Sequence, residues 1–241
     1  MTEKNKFPNL ATHFLDIALP NPFLLASAPP TATGDMIKRA FQAGWGGAVI
    51  KTLHPDALPM KDLTPRFASL KTNQGEIIGF ENCETLSKRP LQTWLQEIKD
   101  IKAAFPQHAL IASIMAEVKK QEWQTMASLV AQAGVNALEL NFSCPNGLPD
   151  QGLGSVIGQN PDMTRDITQW VKEAVDIPVI VKLTPNVTDI RPIAQAAITG
   201  GADALSAINT VQGLIGVDID VYKRQGPSGG SHQMGRMDQS K

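Results

Sequence analysis

The chain has 241 residues, a mass of 26.0 kDa and 42% hydrophobic residues, enough to bury one sizeable core in a single domain. Its net charge of -1 and pI near 6.4 leave no basic stripe for nucleic-acid phosphates. No apolar run of about 18 residues offers a membrane span and MTEKNKFPNL has no apolar signal core, so the expectation is a soluble cytoplasmic protein.

The first predicted element is a ribbon over residues 12–19, followed by a strand over 23–26 and a helix over 33–43. A strand over 48–51 ends on a lysine. The connection that follows, 52–90, is rich in proline and polar residues and long enough to read as a lid or binding loop. Regular alternation resumes with a helix over 91–105, a strand over 109–114 and a helix over 122–133. An apolar strand over 135–140 then leads into a loop that Pro145 and Gly147 keep irregular. A second long, glycine-rich connection runs over 142–160. Asn160-Pro161 supplies an N-cap and a first-turn proline for a helix to about 175. A strand over 178–183, a helix over 190–199 and a strand over 204–208 complete about six βα steps, which predict a parallel sheet. Residues 221–241 are glycine-rich and polar, without periodicity, and read as a disordered tail. A closed barrel needs eight strands, two more than this rhythm supplies.

Polar groups recur where these strands end. ELNFSCPNG places Asn141, Ser143 and Cys144 at one such point, PVIVKLTPN places Lys182 at another, and ALSAINTVQG places Asn209 and Thr210 at a third. The C-terminal ends of parallel strands converge on one mouth in a barrel, so these residues are predicted neighbours despite their separation in sequence. Singly, each has a plainer reading. A lone cysteine is more often an inert packed thiol, a lone strand-end lysine a solvated charge, and a lone asparagine a turn former. Recurrence at one end of the sheet favours a ligand site. Lys51 and Lys182 both follow apolar runs, where a charge is costly without a partner.

Other signals exclude chemistry. Cys83 and Cys144 are the only cysteines, far apart and outside any CxxC spacing, so no disulfide framework and no zinc or iron–sulfur site can be built within the chain. Cys83 reads as a buried small hydrophobe. His13, His54, His108 and His232 lack metal-ligand spacing, and no metal is expected. The glycines at 152, 154 and 158 miss a dinucleotide fingerprint by one residue and follow no strand, so no NAD site is expected on this chain.

LASAPPTAT, AGWGGAVIKT, GFENCETLS, IASIM, ALELNFSCPNG, VKLTPNVTDI and AINTVQG occur in this order over residues 10–217. Together they resemble the flavin domain of dihydropyrimidine dehydrogenases, within the wider superfamily of class 1 dihydroorotate dehydrogenases, which are FMN-binding TIM barrels. The resemblance implies an α/β fold, an incomplete TIM (β/α)8-type barrel over residues 1–220, with 221–241 outside the family pattern. That boundary suggests a truncated or frame-disrupted chain, inactive alone. Ser27, Lys51, Thr52 and Lys182 are implied as FMN contacts, Asn82, Asn141, Ser143, Asn209 and Thr210 as pyrimidine contacts, and Cys144 as the catalytic acid/base. The flavin would be the anionic partner that the two lysines need. The implied reaction interconverts uracil or thymine with the 5,6-dihydro forms in pyrimidine catabolism. NAD(H) would be the ultimate electron partner, reached through a separate PreT-like NADH-oxidising flavoprotein subunit. Iron–sulfur clusters would belong only to a C-terminal part that this chain lacks, and the full-length protein would be an oligomer.

These roles are chemically sensible. A lysine ammonium stabilises the negative charge that a flavin gains on reduction. Asparagine amides match the alternating N–H and C=O groups of a pyrimidine, since each offers both donors and an acceptor. A thiol with an ordinary pKa of about 8.5 is mostly protonated at neutral pH and can give up a proton. Two alternatives stay open: a dihydroorotate dehydrogenase of pyrimidine biosynthesis, which Asn146 after SCP favours, and a non-catalytic fragment.

Overall fold

The computed structural model describes residues 9–58, 66–72, 74–143 and 154–213. The chain divides into two units, 1–63 with 84–211, and 64–83 with 212–241. In chain order the elements are β1 (Thr12–Phe14), β2 (Ile17–Leu19), β3 (Leu24–Leu25), a 3-10 turn (Pro29–Thr31), α1 (Gly34–Gln42), β4 (Gly47–Leu53), β5 (Phe67–Lys71), β6 (Ile77–Asn82), α2 (Leu91–Ala104), β7 (Ala109–Ile114), α3 (Lys120–Gln132), β8 (Ala137–Asn141), α4 (Ser155–Gly158), α5 (Pro161–Lys172), β9 (Val179–Lys182), α6 (Arg191–Thr199) and β10 (Ala204–Ser206).

In the first unit, β1 and β2 pair antiparallel across Leu15 and Asp16, which both take positive φ, 51° and 59°, as a tight two-residue hairpin turn requires. The main sheet is parallel, in the order β3-β4-β7-β8-β9-β10. Spatial order follows chain order without reversal. A doubly wound sheet reverses direction at a switch point, whereas stepping always to the next position is the winding of a TIM barrel. Six strands of such an incomplete barrel lie among the described residues, as the alternation of the sequence predicts.

The helices pack on one face of this sheet. Trp94, Ile98 and Ile101 of α2, Trp123, Met126 and Val130 of α3, and Ile167 and Val171 of α5 recur at helical spacing and are buried against the strands. On the other face Val49, Ile111, Ala137 and Ile180 form a smaller cluster, with Leu15, Ile17 and Leu24 packed on it. Burial on both faces is why β7, ALIASI, reads as a near-continuous apolar run rather than an alternating one. Helix starts follow the expected chemistry: Asn160 accepts a hydrogen bond from Met163 N at 3.1 Å ahead of Pro161, and Thr33 accepts one from Met36 N at 3.2 Å.

The second unit contains structure within a segment expected to be an irregular connection. There β5 and β6 form an antiparallel hairpin, Phe67 opposite Asn82, with a register shift between Leu70 and Lys71. Its turn uses Gly75 at φ +87° and the Thr72 hydroxyl, which accepts from Gln74 N and Glu76 N, both at 3.2 Å. Cys83 follows the hairpin and is half-buried, correcting the expectation of a buried small hydrophobe. Partial burial, and secondarily the charge of Glu81, push its thiol pKa up. Within the glycine-rich connection of the first unit, the short helix α4 is likewise an addition to the predicted elements.

Candidate functional site

A β-bulge builds one corner of the strand-end cluster. Ile50 stands opposite Ala112 and Leu53 opposite Ile114, so three steps along β4 face two along β7. Such an extra residue re-aims the side chains beside it. Here it lies at Lys51 and Thr52, both buried. The Thr52 hydroxyl is 2.9 Å from Ser113 Oγ and 3.3 Å from Ser27 Oγ, and it accepts a hydrogen bond from Asn141 Nδ2 at 2.8 Å. One hydroxyl thereby joins the segment after β3 to β4, β7 and β8.

Asn141 extends the network. Its Oδ1 accepts from Ser143 N at 3.1 Å and from Asn209 Nδ2 at 3.0 Å. Asn209 N donates to Leu183 O at 3.0 Å, while Asn209 Oδ1 accepts from Thr210 N at 2.8 Å. Ser143 Oγ donates to Lys182 O at 3.3 Å. Of the residues predicted from sequence, Ser27, Thr52, Asn141, Ser143, Lys182, Asn209 and Thr210 are therefore drawn into one linked cluster at strand C-terminal ends. Lys51 belongs to β4 beside Thr52. Asn82 ends β6, in the second unit, and Cys144 lies outside the described residues.

The two lysines differ. Lys51 is 7% exposed, and its ammonium donates to Glu84 Oε2 at 2.6 Å. The sequence reading gave Lys51 an anionic ligand as partner, whereas the structure provides a carboxylate of the protein. The pairing spans 33 residues and carries no local sequence signal. Lys182 is half-buried, and among the described residues its ammonium forms no ion pair or hydrogen bond.

Glu139, on β8, is a site residue that sequence reasoning missed. It is 3% exposed, and its Oε1 has no hydrogen-bond partner among the described residues. Burial pushes its carboxyl pKa up, while the positive charge of Lys182 and the hydroxyls of Ser206 and Ser113 pull the other way. Alternation along β8 places it two residues before Asn141, on the same face of the sheet. Behind the cluster, Gly158 N of α4 donates to Phe142 O at 3.0 Å and fixes the backbone that leaves β8.

The arrangement offers amide donors and acceptors, hydroxyls and one uncommitted ammonium at a single edge of the sheet. Such a set can take an anionic group together with a flat heterocycle bearing N–H and C=O groups. Among the described residues no cluster of His, Cys, Asp or Glu could hold a metal ion. Among them, also, no helix is long and apolar enough to cross a membrane.

A profile of the dihydroorotate dehydrogenase family matches residues 9–231. The chain belongs to the dihydroorotate dehydrogenase family. Within it, the chain is 38% identical over 221 residues to the chloroplastic dihydropyrimidine dehydrogenase (NADP(+)) of Arabidopsis thaliana, covering 90% of this chain and 52% of the relative. It is 37% identical over 212 residues to the NAD-dependent dihydropyrimidine dehydrogenase subunit PreA of Escherichia coli K12, covering 88% and 51%. It is 36% identical over 217 residues to the catalytic subunit of dihydroorotate dehydrogenase B (NAD(+)) from Methanocaldococcus jannaschii, covering 89% and 66%. The chain thus spans about half the length of the dihydropyrimidine dehydrogenases it matches. Dihydroorotate dehydrogenase family enzymes are flavin-dependent oxidoreductases. The uncommitted ammonium of Lys182 and the amide-rich cluster beside it suit such a group.

Proposed function

We propose that this chain is the flavin-binding part of a dihydropyrimidine dehydrogenase, interconverting uracil or thymine with the 5,6-dihydro forms. The observation that carries this reading is the linked cluster of Thr52, Asn141 and Asn209 beside an uncommitted Lys182 ammonium. FMN, when bound, would supply hydride acceptance and donation. Ser27, Lys51, Thr52 and Lys182 are the residues proposed to hold it. Lys182 brings a positive charge not already met by a carboxylate, and a fixed charge of that sign favours a cofactor that becomes more negative on reduction. Lys51, neutralised by Glu84, would act mainly through its position and its remaining donor hydrogens.

Asn141, Asn209, Ser143 and Thr210 are the proposed pyrimidine contacts, with Asn82 carried over from the resemblance alone. The hydrogen bonds among Asn141, Ser143, Asn209 and Thr210 hold the amides in fixed orientations before a ligand arrives, which reduces the ordering cost of binding. Cys144 is the proposed proton donor and acceptor, its thiol protonated for reduction of the pyrimidine and needed as thiolate for the reverse. Electrons would reach NAD(H) through a PreT-like subunit.

The absorbance spectrum of the purified chain with and without FMN tests the reading. Yellow flavin bound by this chain, and bound more weakly by Lys182→Ala, is the expected result, with anaerobic bleaching by dihydrouracil expected once the chain is completed to the full length of its relatives. Failure to bind flavin, or bleaching by neither dihydrouracil nor dihydrothymine, would overturn it. A second reading, oxidation of dihydroorotate, is favoured by the 36% identity to the dihydroorotate dehydrogenase B subunit. Bleaching by dihydroorotate alone would select it.

A further inference from the structure

The inner face of the parallel sheet carries an apolar layer, Val49, Ile111, Ala137 and Ile180. Two residues further along the same strands and on the same face come polar residues: Lys51, Ser113 and Glu139, with Ser113 opposite Glu139, and one step higher Lys182, opposite Asn141 on one side and Ser206 of β10 on the other. Glu139 is the anomaly among them, an acid 3% exposed with one oxygen unpartnered among the described residues. Lys51 has its own carboxylate at 2.6 Å, whereas the charge that acts on Glu139 is the ammonium of Lys182, on the neighbouring strand.

We infer that Glu139, buried on the same face of the sheet one strand from Lys182, sets the charge that the lysine presents: as a neutral acid it leaves that charge available to an anionic ligand. That this ligand is a flavin rests on the function proposed above.

A carboxylate stripped of water and left with an orphan oxygen is expensive, so burial favours the neutral acid. A neutral acid can exchange hydrogen bonds with its neighbours without cancelling the ammonium beside it. An ionised one would spend that charge inside the protein, as Glu84 does for Lys51. Facing Glu139 are the Ser113 hydroxyl from β7, the Ser206 hydroxyl from β10 and the Lys182 ammonium from β9, and Lys182 is the one charged group that acts on it. An anion delivered to Lys182 opposes the field that favours the carboxylate and so raises the proton affinity of Glu139. By reciprocity, protonation of Glu139 strengthens anion binding, and affinity falls as pH rises through its titration.

The same group leaves a mark on the ligand-free chain. Its folded pKa lies above the unfolded value, so the native state binds the proton more tightly. Stability is therefore lost as pH rises from the ordinary carboxylate range, near 4.5, toward the folded pKa. Glu139→Gln is permanently neutral and lacks this loss.

The test uses the whole chain with its lysines reductively methylated with carbon-13 for NMR, the Lys182 signal being assigned by its disappearance in Lys182→Arg. Across about pH 4 to 9, a window that spans a raised carboxyl titration, the wild-type Lys182 signal should show a step as Glu139 titrates, and Glu139→Gln should remove that step. Indistinguishable curves would overturn the proposal. In parallel, FMN binding followed by quenching of flavin fluorescence should weaken with rising pH in the wild type. It should stay within about threefold of wild type at low pH in Glu139→Gln without that slope, and weaken by on the order of tenfold in Glu139→Leu, which offers no hydrogen bond. Should Glu139→Leu not fold, the Gln variant and the urea stability of both against pH still decide. Absence of FMN binding by every variant would sink the flavin reading alone, because the NMR step is measured without flavin.

Discussion

Asn141 carries three of the strand-end hydrogen bonds, as many as Thr52. Its side chain donates to Thr52 and accepts from Ser143 N and Asn209 Nδ2, all in a position 7% exposed. Asn141→Ala removes three hydrogen bonds at once; Thr52 keeps Ser113 and Ser27, but Ser143 N and Asn209 Nδ2 lose their acceptor, and leaving buried polar groups unpaired costs about 1 to 3 kcal/mol each before relaxation. We expect urea unfolding to show a loss of about 2 to 4 kcal/mol, and flavin binding to weaken with it; a loss below about 0.5 kcal/mol, the size of an ordinary surface change, would mean that the network is not held as described. Asn141 was legible in the sequence because it sits where an apolar strand meets Pro145. Lys182, Asn209 and Thr210 carried the same signal. Glu139, Ser113 and Glu84 were not legible. The first two are polar letters inside strands whose pattern reads as core, and the third meets Lys51 only through a contact that the fold creates.

At the scale of elements, each predicted strand and helix of the parallel sheet is present, because alternating apolar strands and amphipathic helices leave a period that needs no tertiary knowledge. Three elements, the strands β5 and β6 of the hairpin and the short helix α4, escaped. In β5 and β6 the large apolar residues are exposed, Phe80 at 80%, so no buried face marks the pattern, while α4 has only four residues among glycines. Yet α4 bears on the site. A Cβ on Gly158 would overlap the carbonyl oxygen of Phe142, a backbone atom that cannot rotate away. The chain between β8 and Ser143 would have to move, and overpacking of this kind costs about 1 to 3 kcal/mol. Gly158→Ala should therefore weaken FMN binding at least fivefold, whereas Gly44→Ala, strained by φ +98° but with open space around its Cβ, should lower stability without that loss. Equal flavin affinities in the two variants would show that α4 does not set the backbone of the site.

For the whole molecule the question is what holds each unit together. Among the described residues, the apolar clusters formed by the helices and the parallel sheet of the first unit include no residue from 64–83. The hairpin of the second unit instead exposes Phe67, Ile78 and Phe80, and two strands alone are at best marginally stable in water. The stability of the parallel sheet should then belong to its own helices and strands. Replacing residues 67–82 with a glycine–serine linker of equal length should leave the far-UV circular dichroism of the helices intact and keep unfolding cooperative. The free energy of unfolding should change by less than about 1 kcal/mol, since loop-closure entropy varies only slowly with loop character. Removal of exposed aromatic and branched side chains should also reduce concentration-dependent association, which sedimentation velocity reads directly. A broad, uncooperative transition in the replaced chain would mean that the sheet draws its stability from the hairpin, and that those clusters do not by themselves account for the fold.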